Sequence, residues 1–223
     1  MYSYSSISTS SVPKHSIPNT FLRQDGDTDH LALILPGLNY TCDMPLLYYG
    51  AQIMLEAGAD VLQVKYDYTQ THSDRSVSSL TGKFGALQED AIRIARIALE
   101  QRAYKNLTVV GKSLGTLAIP HLLQADLPLR PQTCVYLTPI LNELVPIRDL
   151  LQTCPRNLFV IGTSDRYFDT ELISQLISPQ ADNFMIIDGV NHSLEFQGDT
   201  FHSLEILDEI IRRMQTFLIE SII

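Results

Sequence analysis

Residues 107–118 read LTVVGKSLGTLA, and the rest of the chain is arranged around them. Leu107, Thr108, Val109 and Val110 form a short apolar, β-branched run, which predicts a strand buried on both faces. Leu114 to Ala118 read as the apolar start of a helix, and Gly111, Ser113 and Gly115 occupy the join. A strand that turns straight into a helix holds its first turning residue in a strained conformation, and it does so only where the flanking side chains are nearly absent. Such a turn lifts the Ser113 hydroxyl clear of the sheet edge. It also sets the hydroxyl beside the helix N-terminus, where the unpaired N–H of Leu114 faces a developing oxyanion. The plainer reading of the same residues is a tight turn with a capping serine.

Two other phosphate-related readings fail on the residues. Gly111, Lys112 and Ser113 spell the end of a G-x-x-x-x-G-K-S loop, but Asn106 stands where its first glycine is required. No G-x-G-x-x-G occurs anywhere, so a dinucleotide fingerprint has no support.

Upstream of this stretch, residues 84–103 predict the clearest helix, with Leu87, Ala91, Ile94 and Ala98 at helical spacing and Glu89, Asp90, Arg93 and Arg96 off that face. The polar segment 67–83 reads as a long loop. Before it come a strand over Val61–Tyr66 and a helix over Pro45–Gly58, with Leu46, Tyr49, Ile53 and Leu47 on one side. Earlier still stand an interior strand at Leu31–Leu35, ended by Pro36 and Gly37, and an edge hairpin within residues 1–24 broken near Pro13. Downstream, strands are expected at Thr133–Leu137, Leu158–Ile161 and Phe184–Ile187. A short irregular or helical link spans Asn142–Thr153, a helix lies near Thr170–Ile177, and a last helix over Phe201–Ile219 carries Leu204, Leu207, Ile211, Met214 and Leu218 on one face. Strands alternating with helices predict an α/β fold, a mostly parallel sheet covered on both sides. At 223 residues and 45% hydrophobic content, the chain is expected to form a single domain over 1–223.

The formal net charge of −9, with only 16 basic residues, argues against nucleic acid and against an anionic membrane surface as partners. The polar first residues lack the pattern of a secretory signal, and no apolar run approaches a bilayer span. Cys42, Cys134 and Cys154 are odd in number and show no metal-ligand rhythm, which fits a cytoplasmic protein with buried thiols.

The G-x-S-x-G pattern of residues 111–115, between strand and helix, resembles the nucleophile elbow of the α/β-hydrolase family. In open α/β sheets ligands gather at the carboxyl ends of the strands, so partners of Ser113 are expected just after later strands. GTSD places Asp165 after the strand at 158–161, and DGVNHSLE places His192 after the strand at 184–187. The order Ser, Asp, His is that of the family, and GVNHSLE looks like its histidine loop. An imidazole takes the proton of the attacking serine, and a carboxylate behind it fixes its tautomer and stabilises the imidazolium. Asp169, well placed to cap the next helix, and Glu143 are the alternative acids. His15, His30, His121 and His202 have no expected path to Ser113, whereas His72 in the long loop stands within reach of the site mouth.

The resemblance implies a second oxyanion donor from the loop PGLNYTCDMP after the strand at 31–35. The family often has a histidine where Pro36 stands, so the match is partial. Leu38 is the expected donor, beside Leu114, and Asn39 is the alternative. Lys112 is expected to have a structural partner among the acids and no chemical role. Tyr40, Tyr66 and Tyr167 stand at strand ends, either lining the entrance or packing. The link over Thr138–Arg156 is too short for a large cap. The resemblance therefore implies a serine hydrolase with little or no lid, needing no cofactor or metal, that cleaves a small carboxylic ester or thioester through an acyl-serine. The alternatives are a non-catalytic binding protein of the same fold, and an acyltransferase or amidase using the same residues. The sequence leaves the oligomeric state open.

Overall fold

The computed structural model describes residues 1–8, 16–66, 85–176 and 184–220. The expected long loop at 67–83, His72, His15, the break at Pro13 and the end of a helix at Ile177 lie outside the described residues.

Strand β1 (Tyr2–Ser5) pairs antiparallel with β2 (Asn19–Gln24), and β2 pairs antiparallel with β4 (Asp60–Val64). The parallel part of the sheet contains β3 (His30–Leu35), β4, β5 (Asn106–Lys112), β6 (Thr133–Leu137), β7 (Arg156–Gly162) and β8 (Phe184–Ile187). The order across the eight strands is β1-β2-β4-β3-β5-β6-β7-β8. Strands β3, β4 and β6 are buried along their whole length, as continuous apolar runs in a sheet covered on both faces should be.

One face of the sheet is covered by α1 (Pro45–Glu56) and by the long C-terminal helix Thr200–Ile219. Helix α2 (Gly85–Leu99) and α3 (Ile119–Gln124) cover the other. Between β6 and β7 run only α4 (Leu141–Leu144), a 3-10 turn at Val145–Ile147 and α5 (Arg148–Leu151), so that link carries no lid. Helix α6 (Thr170–Leu176) precedes β8, and the C-terminal helix is α7.

Several helix faces differ from the expected ones. In α1, Tyr49 is exposed, and the buried stripe runs through Leu47, Gly50, Ala51 and Met54. The small residues Gly50 and Ala51 let α1 approach α7 closely. In α7, Met214 and Leu218 are buried as expected and Leu207 and Ile211 are half-buried, but Leu204 is exposed and lines a cleft, and Ile206, Ile210 and Phe217 complete the buried face. In α2, Asp90 is buried instead of facing outward, and its carboxylate pairs with Arg93 one turn on, at 3.2 Å. The helix expected from Leu114 is a 3-10 helix over Ser113–Ala118 that passes into α3. Pro120 has no N–H to extend the earlier hydrogen-bond ladder, but it is tolerated in the first turn of a new helix.

Candidate active site

The parallel strands deliver three loops to one edge of the sheet. Strand β5 ends at Lys112, and Ser113 takes a φ of 51°, a left-handed conformation that costs a non-glycine residue about 1–3 kcal/mol. The turn is held by the Thr116 hydroxyl, which donates to the Ser113 carbonyl at 2.6 Å. It also needs Gly115: a Cβ there would lie 2.7 Å from the Pro36 oxygen and 2.8 Å from the Leu35 carbonyl carbon. Only a residue without a side chain seats the start of the helix against the end of β3.

Strand β7 ends at Gly162, and the turn after it carries Asp165, whose side chain is fully buried. Its Oδ1 accepts from the backbone N–H of Tyr167 at 2.9 Å, and its Oδ2 lies 2.7 Å from His192 Nδ1. His192 follows β8 in a loop closed on itself, where Asn191 Oδ1 accepts from the amides of Ser193 and Glu195. The other ring nitrogen, Nε2, lies 2.8 Å from Ser113 Oγ. The serine, imidazole and carboxylate thus form a continuous hydrogen-bonded chain across residues far apart in sequence. With Nδ1 protonated toward the carboxylate, Nε2 is the acceptor facing the hydroxyl. The edge of the Tyr167 ring packs on the imidazole at a centroid distance of 5.4 Å.

The loop after β3 lies against the serine, since a Cβ at Gly37 would come within 3.2 Å of the Ser113 Cβ. Gly37 and Tyr40 exchange backbone hydrogen bonds at 3.0 and 3.2 Å, leaving Leu38 and Asn39 at the tip, with Asn39 left-handed at a φ of 58°. The Leu38 amide is thus carried beside the elbow whose helix begins with the amide of Leu114.

No family model and no curated protein sequence matches the chain. Its architecture does match solved structures. A dienelactone hydrolase from Anabaena variabilis superposes with a TM-score of 0.67 at 17% identity, covering 98% of each chain. A cold-adapted esterase from an Arctic intertidal metagenomic library gives 0.65 at 15% identity, covering 92% of this chain and 90% of the other. A serine hydrolase without a lid from Xanthomonas campestris gives 0.59 at 14% identity, covering 95% and 94%. The chain has the α/β-hydrolase fold.

Within this α/β-hydrolase fold, the alternative acids occupy other posts. Asp169 Oδ1 caps α6 by accepting from the amides of Glu171 and Leu172, at 2.8 and 3.1 Å. Glu143 belongs to the short helix α4. His30 sits at the opposite edge of the sheet, where its Nε2 meets Thr108 Oγ1 at 2.8 Å and burial lowers its pKa to about 4. His202 lies 3.5 Å from Glu205 on α7, and His121 is half-buried in α3.

Of the tyrosines, Tyr40 lines a cleft and Tyr66 donates to the Leu87 carbonyl. The cleft, of about 660 Å³, runs between the 39–46 segment, the loop after His192 and the start of α7. Met44, Leu194, Phe196 and Leu204 supply apolar walls, Glu195 and Asp199 are the charged residues among the described ones that line it, and neither Ser113 nor His192 is part of its lining.

Among the described residues, Lys112 pairs with no acid. Its ammonium, in a residue only 1% exposed, donates to Thr138 Oγ1 at 2.6 Å and to the His192 carbonyl at 2.7 Å. Sequence reasoning passed over this residue because the position before the serine tolerates many side chains. The available signal was a charged residue inside a run of strand and helix that is otherwise buried.

Proposed function

We propose that the protein is a serine hydrolase that cleaves small carboxylic esters or thioesters through an acyl-serine intermediate. The observation that carries this reading is the Ser113–His192 contact of 2.8 Å, continued to Asp165 at 2.7 Å, on a serine held in a left-handed turn. Ser113 Oγ attacks the acyl carbonyl while His192 Nε2 takes its proton, and Asp165 orients the ring and stabilises the imidazolium that forms. The amides of Leu38 and Leu114 receive the charge that builds on the carbonyl oxygen. His192 returns the proton to the leaving alcohol or thiol. A water, deprotonated by the same imidazole, then releases the acid.

The cleft of about 660 Å³ adjoins the histidine loop through Asn191 and Ser193 but is not lined by Ser113 or His192, so the reading rests on the three side chains and not on the cleft. A non-catalytic protein of this fold predicts a serine and histidine out of reach, which the 2.8 Å separation counts against.

The test is labelling with a fluorophosphonate probe, alongside p-nitrophenyl esters of graded chain length and acyl thioesters. Labelling at Ser113, lost in S113A, is expected. Failure of native protein to react under conditions that label a control hydrolase refutes the proposal.

A further inference from the structure

Next to the nucleophile, a buried charge takes no part in the mechanism. Lys112 ends β5 directly before Ser113, and its side chain runs into the interior, beneath the junction of three loops. The ammonium donates to the main-chain oxygen of His192 and to the hydroxyl of Thr138, the residue just past β6. It also lies over the Tyr40 ring, at 5.0 Å from the centroid, in the loop that carries Leu38. One cation thus joins the nucleophile strand, the end of β6, the histidine loop and the oxyanion loop. Thr138 is itself fully buried and left-handed, with a φ of 46°, and its amide donates to Val160 of β7 at 2.7 Å. Its hydroxyl is therefore pinned where the ammonium needs it.

A buried ammonium with no carboxylate in contact is costly and easily replaced by an apolar side chain of similar length. Burial depresses its pKa to about 8, against the opposing pull of Asp165 and Glu195. Tyr40 and His192 are the other titratable groups facing it. Packing alone does not call for such a group here. What the ammonium uniquely supplies is charge-assisted donation to a carbonyl oxygen that belongs to His192 itself.

We infer that Lys112 is a positioning residue: it anchors the main chain of His192 to the ends of β5 and β6, and so sets the imidazole within hydrogen-bonding distance of Ser113. The inference rests on the hydrolase reading for its kinetic consequence but not for its structural one. Imidazoles displaced by about 1 Å lose on the order of a hundredfold in rate, while the contacts that bind substrate away from the imidazole stay as they were.

The experiment compares wild type with K112M, T138V and T138S. The readouts are kcat and KM for the best ester of the graded panel, thermal unfolding to confirm the fold, and the far-downfield NMR resonance of the His192 Nδ1 proton held by Asp165. K112M is expected to lower kcat by about ten- to a hundredfold with KM changed less than about threefold, and to broaden or shift that resonance. T138V, which removes one acceptor and keeps the bond to His192, is expected to lose less, and T138S to restore most of that loss. A folded K112M with wild-type kcat and an unchanged resonance overturns the inference. So does a loss confined to KM. If wild type itself turns over no ester and resists the probe, the hydrolase reading fails, and the resonance in K112M still decides whether Lys112 holds the histidine.

Discussion

Gly162 is the position at which a single methyl group should separate the acid from the histidine. It is the last residue of β7, and the loop that leads to His192 crosses directly over it. A Cβ at Gly162 would stand 2.5 Å from the Val190 carbonyl carbon, nearer still to its oxygen, and 2.8 Å from the Val190 Cβ. Carbon atoms pack at about 3.5–4.0 Å, so G162A must push Val190 away by about 1 Å or more. The same carbonyl accepts from the Ser164 amide at 3.0 Å, one residue before Asp165, so the wedge also breaks the bond that ties the acid turn to the histidine loop.

Val190 precedes His192 by two residues in a tight loop, and a shift of this size carries the ring with it. A displacement of about 1 Å at a reacting group costs on the order of a hundredfold, or about 2.7 kcal/mol of transition-state stabilisation. The assay is kcat for a p-nitrophenyl ester and the second-order rate of fluorophosphonate labelling, with thermal unfolding measured beside them. Both rates should fall together by about a hundredfold while the protein stays folded. A folded G162A with rates within about threefold of wild type would show that the approach of Gly162 to Val190 does not set the site, and the reasoning would be wrong.

Asp165 and Asp169 provide a paired test, since one carboxylate faces the imidazole and the other caps a helix. D165N should lower kcat by about a hundredfold or more by presenting the wrong tautomer, whereas D169A should cost only about 1 kcal/mol of stability and leave kcat near wild type; equal losses from the two would reject the assignment. Lys112 makes stability depend on pH with a defined sign, because burial lowers its folded pKa to about 8. Below pH 8 both folded and unfolded states hold the proton. Between about 8 and 10.5 the unfolded state holds more, so folding becomes more favourable as pH rises, by up to about 1.4 kcal/mol per pH unit. Denaturant unfolding of wild type minus K112M should therefore show a relative gain of about 1.6 kcal/mol from pH 8 to 9.5. A flat difference would mean that the ammonium is not held low.

Much of the fold was legible in local pattern. The runs LALIL, TCVYL and LFVI have no room for a solvated face and could only be interior strands. Gly111 and Gly115 around Ser113 marked the elbow, and the residues after β7 and β8 pointed to Asp165 and His192, the two side chains that the structure brings to the serine. Helix faces were less legible. Gly50 and Ala51 are buried in α1 but carry little hydrophobic signal, so helical spacing points Tyr49 inward although it is exposed. Leu204 fits the helical repeat of α7 yet is exposed at the cleft.

The sequence by itself determined the alternation of strand and helix, the elbow and the order of the three candidate side chains, because these depend on neighbours within a few positions along the chain. Only the tertiary structure decided that Lys112 reaches His192 and Thr138, and that Gly162 makes room for Val190. Those contacts join residues up to 80 positions apart, and their distances are set by how the sheet twists and the loops pack, which no local pattern encodes.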